Sequence, residues 1–389
     1  MAGKVKNLLI VLVAFVLFAA GCSSQQSSKT TDKGGESSSD TIKIGVIVAE
    51  TGPASSLGKP EADAARLLNE QLAGKTFDGK KVELIVEDYE TDDTNAVVIM
   101  KKLISEHNVA AVVGGTQTST SIALSGVAAE NQIPFVALGV LNDDQFNEYT
   151  IQVPPSNETV LRTAIDYLLK HNIKTVAWIN ARDGFGQTGL PVFEKLAKEN
   201  GIEIVAVEDF DAESTDMTVQ LTKIKPKKPG AIIVWSRPPG AGIVAKNYSQ
   251  LGFKVPMIQS HAVSNQGFLD QVGESGIGVH VLGSKLNVLD FLEDSEQKQL
   301  INKFVSEFEK KYNYNPGPFG GYLYDGVQMV VQGISEGKHT PQELKEYLEN
   351  IEYKGVTGTF KFTPEDRNAV QGDGIALLTV GKNGWELAK

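Results

Sequence analysis

From Thr41 onward, apolar runs of strand length alternate with stretches of helical periodicity, and the links between them are short. That alternation constrains the fold more than any other feature, because parallel strands need crossover helices, and strands alternating with helices over short links argue a parallel, doubly wound sheet. Strands are expected over 42–48, 81–87, 109–113 and 133–138, with helices over 61–72 and 94–105 between them. A second series starts after Pro154-Pro155, with helices over 157–170, 189–200 and 240–251. Its strands fall over 175–179, 202–207, 231–235, 255–259 and 277–282. Helical patterns over 295–312 and 321–336 follow with no comparable strand between them, so they need an existing sheet to pack on and are assigned to the first unit. The end, 358–362 and 375–380, reads as a hairpin returning to the second unit. The expected fold is α/β, with two doubly wound, Rossmann-like lobes joined by a three-crossing hinge. Residues 41–155 and 285–350 form the N-terminal lobe, and 156–284 and 351–389 the C-terminal lobe. A cleft between the lobes is the natural place for a ligand.

The first forty residues belong to a different regime. Lys4 and Lys6 precede an apolar run over 8–20, and Ala19-Ala20-Gly21-Cys22 places small residues before the single Cys of the chain. The run is short and early for a spanning helix, so residues 1–21 read as a signal peptide. The pattern resembles a bacterial lipoprotein signal, with Ala19 where Leu is usual, and that resemblance implies lipidation of Cys22. Residues 22–40 contain nothing to bury and read as a flexible tether. One Cys excludes an intrachain disulfide. The formal charge is −11, and losing Lys4 and Lys6 with the signal makes it more negative, which argues against nucleic acid as a partner.

At the centre of the first unit, Val109-Ala110-Ala111-Val112-Val113 runs into Gly114-Gly115 and then Thr116-Gln117-Thr118-Ser119-Thr120-Ser121. A strand, a tight turn and a hydroxyl-rich helix start follow one another. Backbone N–H groups at a helix start lack intrahelical partners and carry the positive end of the dipole, so the loop either holds an anion such as a carboxylate or is capped by Thr118 or Ser119. Asp88, Glu90, Asp92 and Asp93 make an acidic loop, solvated or able to take a cation. The Gly-x-Ser-x-Gly elbow and the phosphate-binding Gly-Lys loop are absent, and the five His residues stand too far apart in sequence for metal-ligand spacing, so no enzyme, cofactor or metal is expected.

Ile44-Gly45-Val46 with Glu50-Thr51-Gly52-Pro53-Ala54 and Gly58, Val86-Glu87-Asp88 with Thr94-Asn95-Ala96, and Asn131-Gln132-Ile133-Pro134 form an ordered set. Tyr324-Asp325-Gly326-Val327 and the stretch from Tyr353-Lys354-Gly355 to Thr359-Phe360-Lys361-Phe362 complete it. In this order they resemble the periplasmic solute-binding proteins of the leucine/isoleucine/valine type, over nearly everything from Ile42 to Val380. The resemblance implies a type I periplasmic-binding fold and an extracytoplasmic subunit, tethered to a membrane through Cys22, that delivers a ligand to the permease and ATPase subunits of an ABC importer. A sensor reporting to a membrane receptor or kinase is the alternative on the same fold.

The same resemblance assigns the cleft. Hydroxyls that hold a ligand carboxylate fall on Thr118 and Ser119, and a second contact loop falls on Leu138-Gly139-Val140. Leu57 stands where an aromatic is common, and Phe185, in Asp183-Gly184-Phe185-Gly186, covers the ligand from the second lobe or packs in its core. Arg237 either meets the ligand or pairs with a carboxylate across the hinge. His261 stands where an acid for an α-ammonium is expected, and is otherwise a structural loop residue. The missing acid argues against a plain α-amino acid, so the expected ligand is a branched-chain amino acid or, in preference, a related small apolar carboxylate. Asp325 is read as structural, at the start of its helix.

Overall fold

The computed structural model describes residues 40–368 and 370–388. The signal segment, Cys22 and the tether up to residue 39 lie outside the described residues. The first series is β1 (Thr41–Val48), α1 (Ser55–Leu72), β2 (Lys81–Asp88), α2 (Asp93–Ser105), β3 (Ala111–Gly114), α3 (Thr118–Asn131), β4 (Phe135–Ala137) and β5 (Thr150–Gln152). These strands form one parallel five-stranded sheet in the order β2-β1-β3-β4-β5. Because successive side chains of a strand face opposite ways, Ile44, Val46 and Val48 pack with α1 and the later helices while Ile47 packs with α2 and α3.

The second series is α4 (Asn157–Lys170), β6 (Thr175–Ala181), α5 (Gly189–Glu199), β7 (Glu203–Phe210), α6 (Thr218–Ile224), β8 (Ala231–Trp235), α7 (Gly240–Gln250), β9 (Met257–Gln259), α8 (Gln266–Val272) and β10 (His280–Ser284). Ile232 and Val234 of β8 face α6 and α7, whereas Ile233 and Trp235 face α4 and α5. The chain then returns as α9 (Glu296–Tyr312), α10 (Gly317–Ser335) and α11 (Pro341–Leu348). Phe304 and Phe308 of α9, Val327 and Val330 of α10 and Leu344 of α11 lie in the first lobe's core.

The last strands correct the sequence expectation. They are β11 (Glu352–Lys354), β12 (Thr359–Lys361), β13 (Ile375–Gly381) and β14 (Gly384–Leu387). Residues 358–362 do not pair with 375–380. Instead β12 pairs antiparallel with β11, and β13 pairs antiparallel with β10 and β14. The second sheet therefore has seven strands in the order β14-β13-β10-β9-β8-β6-β7. Ile351, Val356, Phe360, Phe362 and Val370 are buried in the first lobe's core, where 351–389 was expected to join the second. Burial of two aromatic rings, rather than proximity in sequence, decides which lobe the small hairpin joins. The chain passes between the lobes after β5, after β10 and before β13. Among the described residues no helix is long and apolar enough to cross a membrane.

Candidate functional site

The loop after β3 is fixed by its glycines. A Cβ on Gly114 would meet the Ile47 carbonyl oxygen at 2.2 Å, and Gly115 sits at φ 73° with its Cβ position 2.6 Å from Ser121 Oγ. No side chain fits at either place. The five hydroxyls that follow divide by role. Thr116 Oγ1 accepts from Ala49 N at 3.0 Å and donates to Glu61 at 2.5 Å. Glu61 is fully buried, and that burial raises its carboxyl well above the usual range. Thr120 binds Asp93 and Tyr89. Ser121 Oγ donates to the Gly115 carbonyl at 2.6 Å and accepts from Gly139 N at 3.0 Å, which locks the loop after β4 onto the loop after β3.

Thr118 and Ser119 are left over. Gln117 is the N-cap of α3 and makes no side-chain cap, so neither Thr118 nor Ser119 caps the helix as one sequence reading allowed. They stand in the first turn beside the uncapped N–H groups, facing the cleft. In the acidic loop Glu90 is exposed, and the other three carboxylates have protein partners. Asp88 receives Thr51 and Glu90, Asp92 caps α2, and Asp93 binds Thr120. Among the described residues no group of acids, His or Cys could hold a metal ion.

The opposite wall is built at the C-terminal ends of β6, β8 and β9. Phe185 stacks on Trp235 at 5.6 Å between centroids, Trp235 stacks on Trp178, and Trp178 on Phe193, so the ring rests on an aromatic column running into the core. His261 meets Phe185 edge-on at 5.4 Å. Burial lowers its pKa to about 4, so the ring is neutral near pH 7, and its Nδ1 has no hydrogen-bond partner. Ser260 Oγ donates to the Ser236 carbonyl at 2.6 Å and ties the two loops that carry Arg237 and His261. Arg237 Nε lies 3.0 Å from Asp183 Oδ2, with side chains 17% and 16% exposed. Asp183 Oδ1 accepts from Gly186 N at 2.7 Å.

These two walls enclose one cavity with about 540 Å³ of empty space counted out to its mouth. Leu57, Thr118, Ser119, Leu138, Gly139, Val140, Phe185, Arg237 and His261 all line it, so the structure brings every expected cleft residue together. Leu57, Leu138, Val140 and Phe185 are buried, and the interior is mainly apolar. Sequence reasoning missed Pro154, Phe319 and Tyr322, which reach the cavity from the first crossing and from α10. It also missed Asp183. The expectation that the cleft lacks an acid is corrected, because Asp183 lines it from the turn whose Phe185 had been singled out. Its carboxylate within a turn motif was the available signal.

The chain matches the model of the family described as "Periplasmic binding protein" over residues 41–384. It is 22% identical over 360 residues to Leu/Ile/Val-binding protein homolog 7 of Brucella abortus, covering 86% of this chain and 88% of that one. It is similar to the crystal structure of an extracellular ligand-binding receptor from Rhodopseudomonas palustris, with a TM-score of 0.83 and 25% identity over 90% of this chain and 100% of that one. A solute-binding protein of an ABC transporter from the same species, crystallised in complex with 3,4-dihydroxy benzoic acid, superposes with a TM-score of 0.78 at 23% identity. That match covers 90% of this chain and 96% of the other.

Proposed function

Because this chain belongs to the periplasmic binding protein family, we propose that it is the ligand-binding subunit of an ABC importer, capturing a small apolar carboxylate between its lobes. The class includes branched-chain amino acids and compact aromatic or branched acids. The family is one of extracytoplasmic solute-binding proteins rather than enzymes, and no catalytic role is proposed for this chain. The observation that carries the reading is the contrast between the two walls of one apolar cavity. Thr118 and Ser119 stand at an uncapped helix start on one wall, and Arg237 stands on the other. A carboxylate meets donors from both lobes there, while its apolar body lies against Leu57, Leu138, Val140 and Phe185.

The names of the relatives support both ends of the ligand class, one a Leu/Ile/Val-binding protein homologue and the other a complex with an aromatic acid. Delivery to a permease, and a lipid anchor on Cys22, complete the reading. Loss of membrane-fraction partitioning in Cys22→Ser tests the anchor, and loss of ligand uptake in cells lacking this chain tests delivery.

A thermal-shift screen of amino and carboxylic acids tests the ligand class, since a ligand at 100 times its Kd stabilises the fold by about 2.7 kcal/mol. Carboxylates should raise the unfolding midpoint, and their methyl esters should raise it less at the same concentration. Equal shifts by acid and ester would remove the anion from the reading.

A further inference from the structure

A second cavity lies beside the first, at the hinge, with about 300 Å³ of empty space. Pro155, Ser284 and Gly374, one from each of the three crossings between the lobes, line it together with the apolar Val160, Leu282 and Ile375. Two residues, His261 and Tyr322, line both cavities. His261 follows β9 in the second lobe, whereas Tyr322 belongs to α10 and to the core of the first. The partition between the cavities is thus made from both lobes.

Each half of this partition is braced. The Tyr322 ring meets Phe319 edge-on at 5.8 Å between centroids. Its helix is held close to the segment after β11, because a Cβ on Gly321 would meet Thr357 Cγ2 at 2.6 Å. From the other lobe the His261 ring stands edge-on to Phe185 at 5.4 Å and to Trp235 at 5.8 Å. Rings packed in this way resist being pushed aside, since even one added methylene strains a well-packed interior. An apolar chain that reaches them meets a wall with unfilled space behind it.

We propose that Tyr322, together with His261, is the specificity-determining stop of the cleft, the two rings closing its hinge end and setting the length of the apolar body that a ligand can carry. The proposal rests on the carboxylate reading above and narrows it to compact acids. The carboxylate stands by Thr118, Ser119 and Arg237, and the body runs from there toward Pro154, which lines the cleft at the first crossing. A body that ends short of the two rings gains contact with every added carbon. A longer one must displace a ring or draw the carboxylate off its donors.

Two series of acids of increasing length test this: straight-chain acids from butanoate to decanoate, and phenyl acids from benzoate to 5-phenylpentanoate. Each methylene buried tightens binding by about fourfold. Titration calorimetry of the parent protein should therefore show affinity rising by about that factor per carbon and then falling by at least about tenfold within two carbons of the optimum. Tyr322→Ala joins the two cavities and should move the optimum to acids about two or more carbons longer. His261→Ala opens the same wall from the other lobe and should move the optimum in the same direction, which keeps the proposal testable where Tyr322→Ala does not fold. An affinity in the parent that is independent of length, or that rises to the longest acid, overturns the proposal and leaves the carboxylate reading standing. So does an optimum that stays in place in the folded variants. Absence of binding by every acid in both series overturns the carboxylate reading, and the stop with it.

Discussion

Arg237 is the residue on which the charge of the site turns. It is largely buried and lies beside Asp183, so removing it acts twice. A carboxylate ligand loses charged donors, and Asp183 is left as an uncompensated acid facing the same anion. Arg237→Ala should therefore weaken binding of a carboxylate by roughly 10- to 100-fold and leave its methyl ester nearly unaffected. Arg237→Lys should recover part of the loss, because an ammonium balances Asp183 but cannot reproduce the planar fork. Calorimetry on acid and ester with each variant checks both expectations, and an equal loss for acid and ester would place Arg237 in a purely structural role. At this scale the sequence was informative wherever a residue's position follows from local context. Thr118 and Ser119 follow a glycine turn that fixes where they stand, and Phe185 sits in a motif. The Arg237 and Asp183 pairing was not legible, because it joins the ends of two strands that only the sheet order brings together.

At the scale of elements, α10 is the strut between the core of the first lobe and the chain that crosses to the second. Its Asp325 is fully buried and accepts from Val356 N at 2.9 Å, Thr357 N at 2.8 Å and Thr357 Oγ1 at 2.5 Å. The sequence placed it at a helix start, but α10 begins at Gly317, and Asp325 stands well inside it, tying the helix to the segment after β11. Burial outweighs the hydrogen bonds and raises its pKa to about 6. A carboxyl raised in the fold holds its proton more tightly folded than unfolded. Its contribution to stability is therefore full below the unfolded value of about 3.9 and declines as pH rises through about 6. In urea unfolding, the stability of the parent relative to Asp325→Asn should fall by about 2 kcal/mol between about pH 4.5 and about pH 7.5, since Asn does not titrate and the other groups are common to both. A constant difference would mean that the carboxyl is ionised throughout. Long periodic elements such as α4, β8 and α9 were readable because one face or both must be apolar along their whole length. The short β11 and β12 were not, since strands of three residues carry too little pattern to name a partner, and the burial of Phe360 and Phe362 chooses it for them.

For the whole molecule, two lobes joined by several crossings were legible from the alternation of strands and helices, whereas how closely they approach depends on contacts with no sequence signature. Gly184 measures that approach. The position a Cβ would take lies 3.5 Å from Ser119 N and 3.7 Å from Ser119 Cβ, ordinary van der Waals distance, so the lobes are closed over the cavity here. An added methyl fits this space and an aromatic ring does not. Gly184→Ala should keep ligand affinity within a few-fold. Gly184→Phe should prop the lobes apart and weaken binding by at least about tenfold, because the donors of one lobe then no longer meet a ligand held by the other. Small-angle scattering gives the independent readout. The parent and Gly184→Ala should lose radius of gyration on saturation with ligand, and Gly184→Phe should keep the radius of the unliganded protein. Compaction of Gly184→Phe equal to that of the parent would show that closure does not bring the turn after β6 against the start of α3, and would move the hinge axis elsewhere.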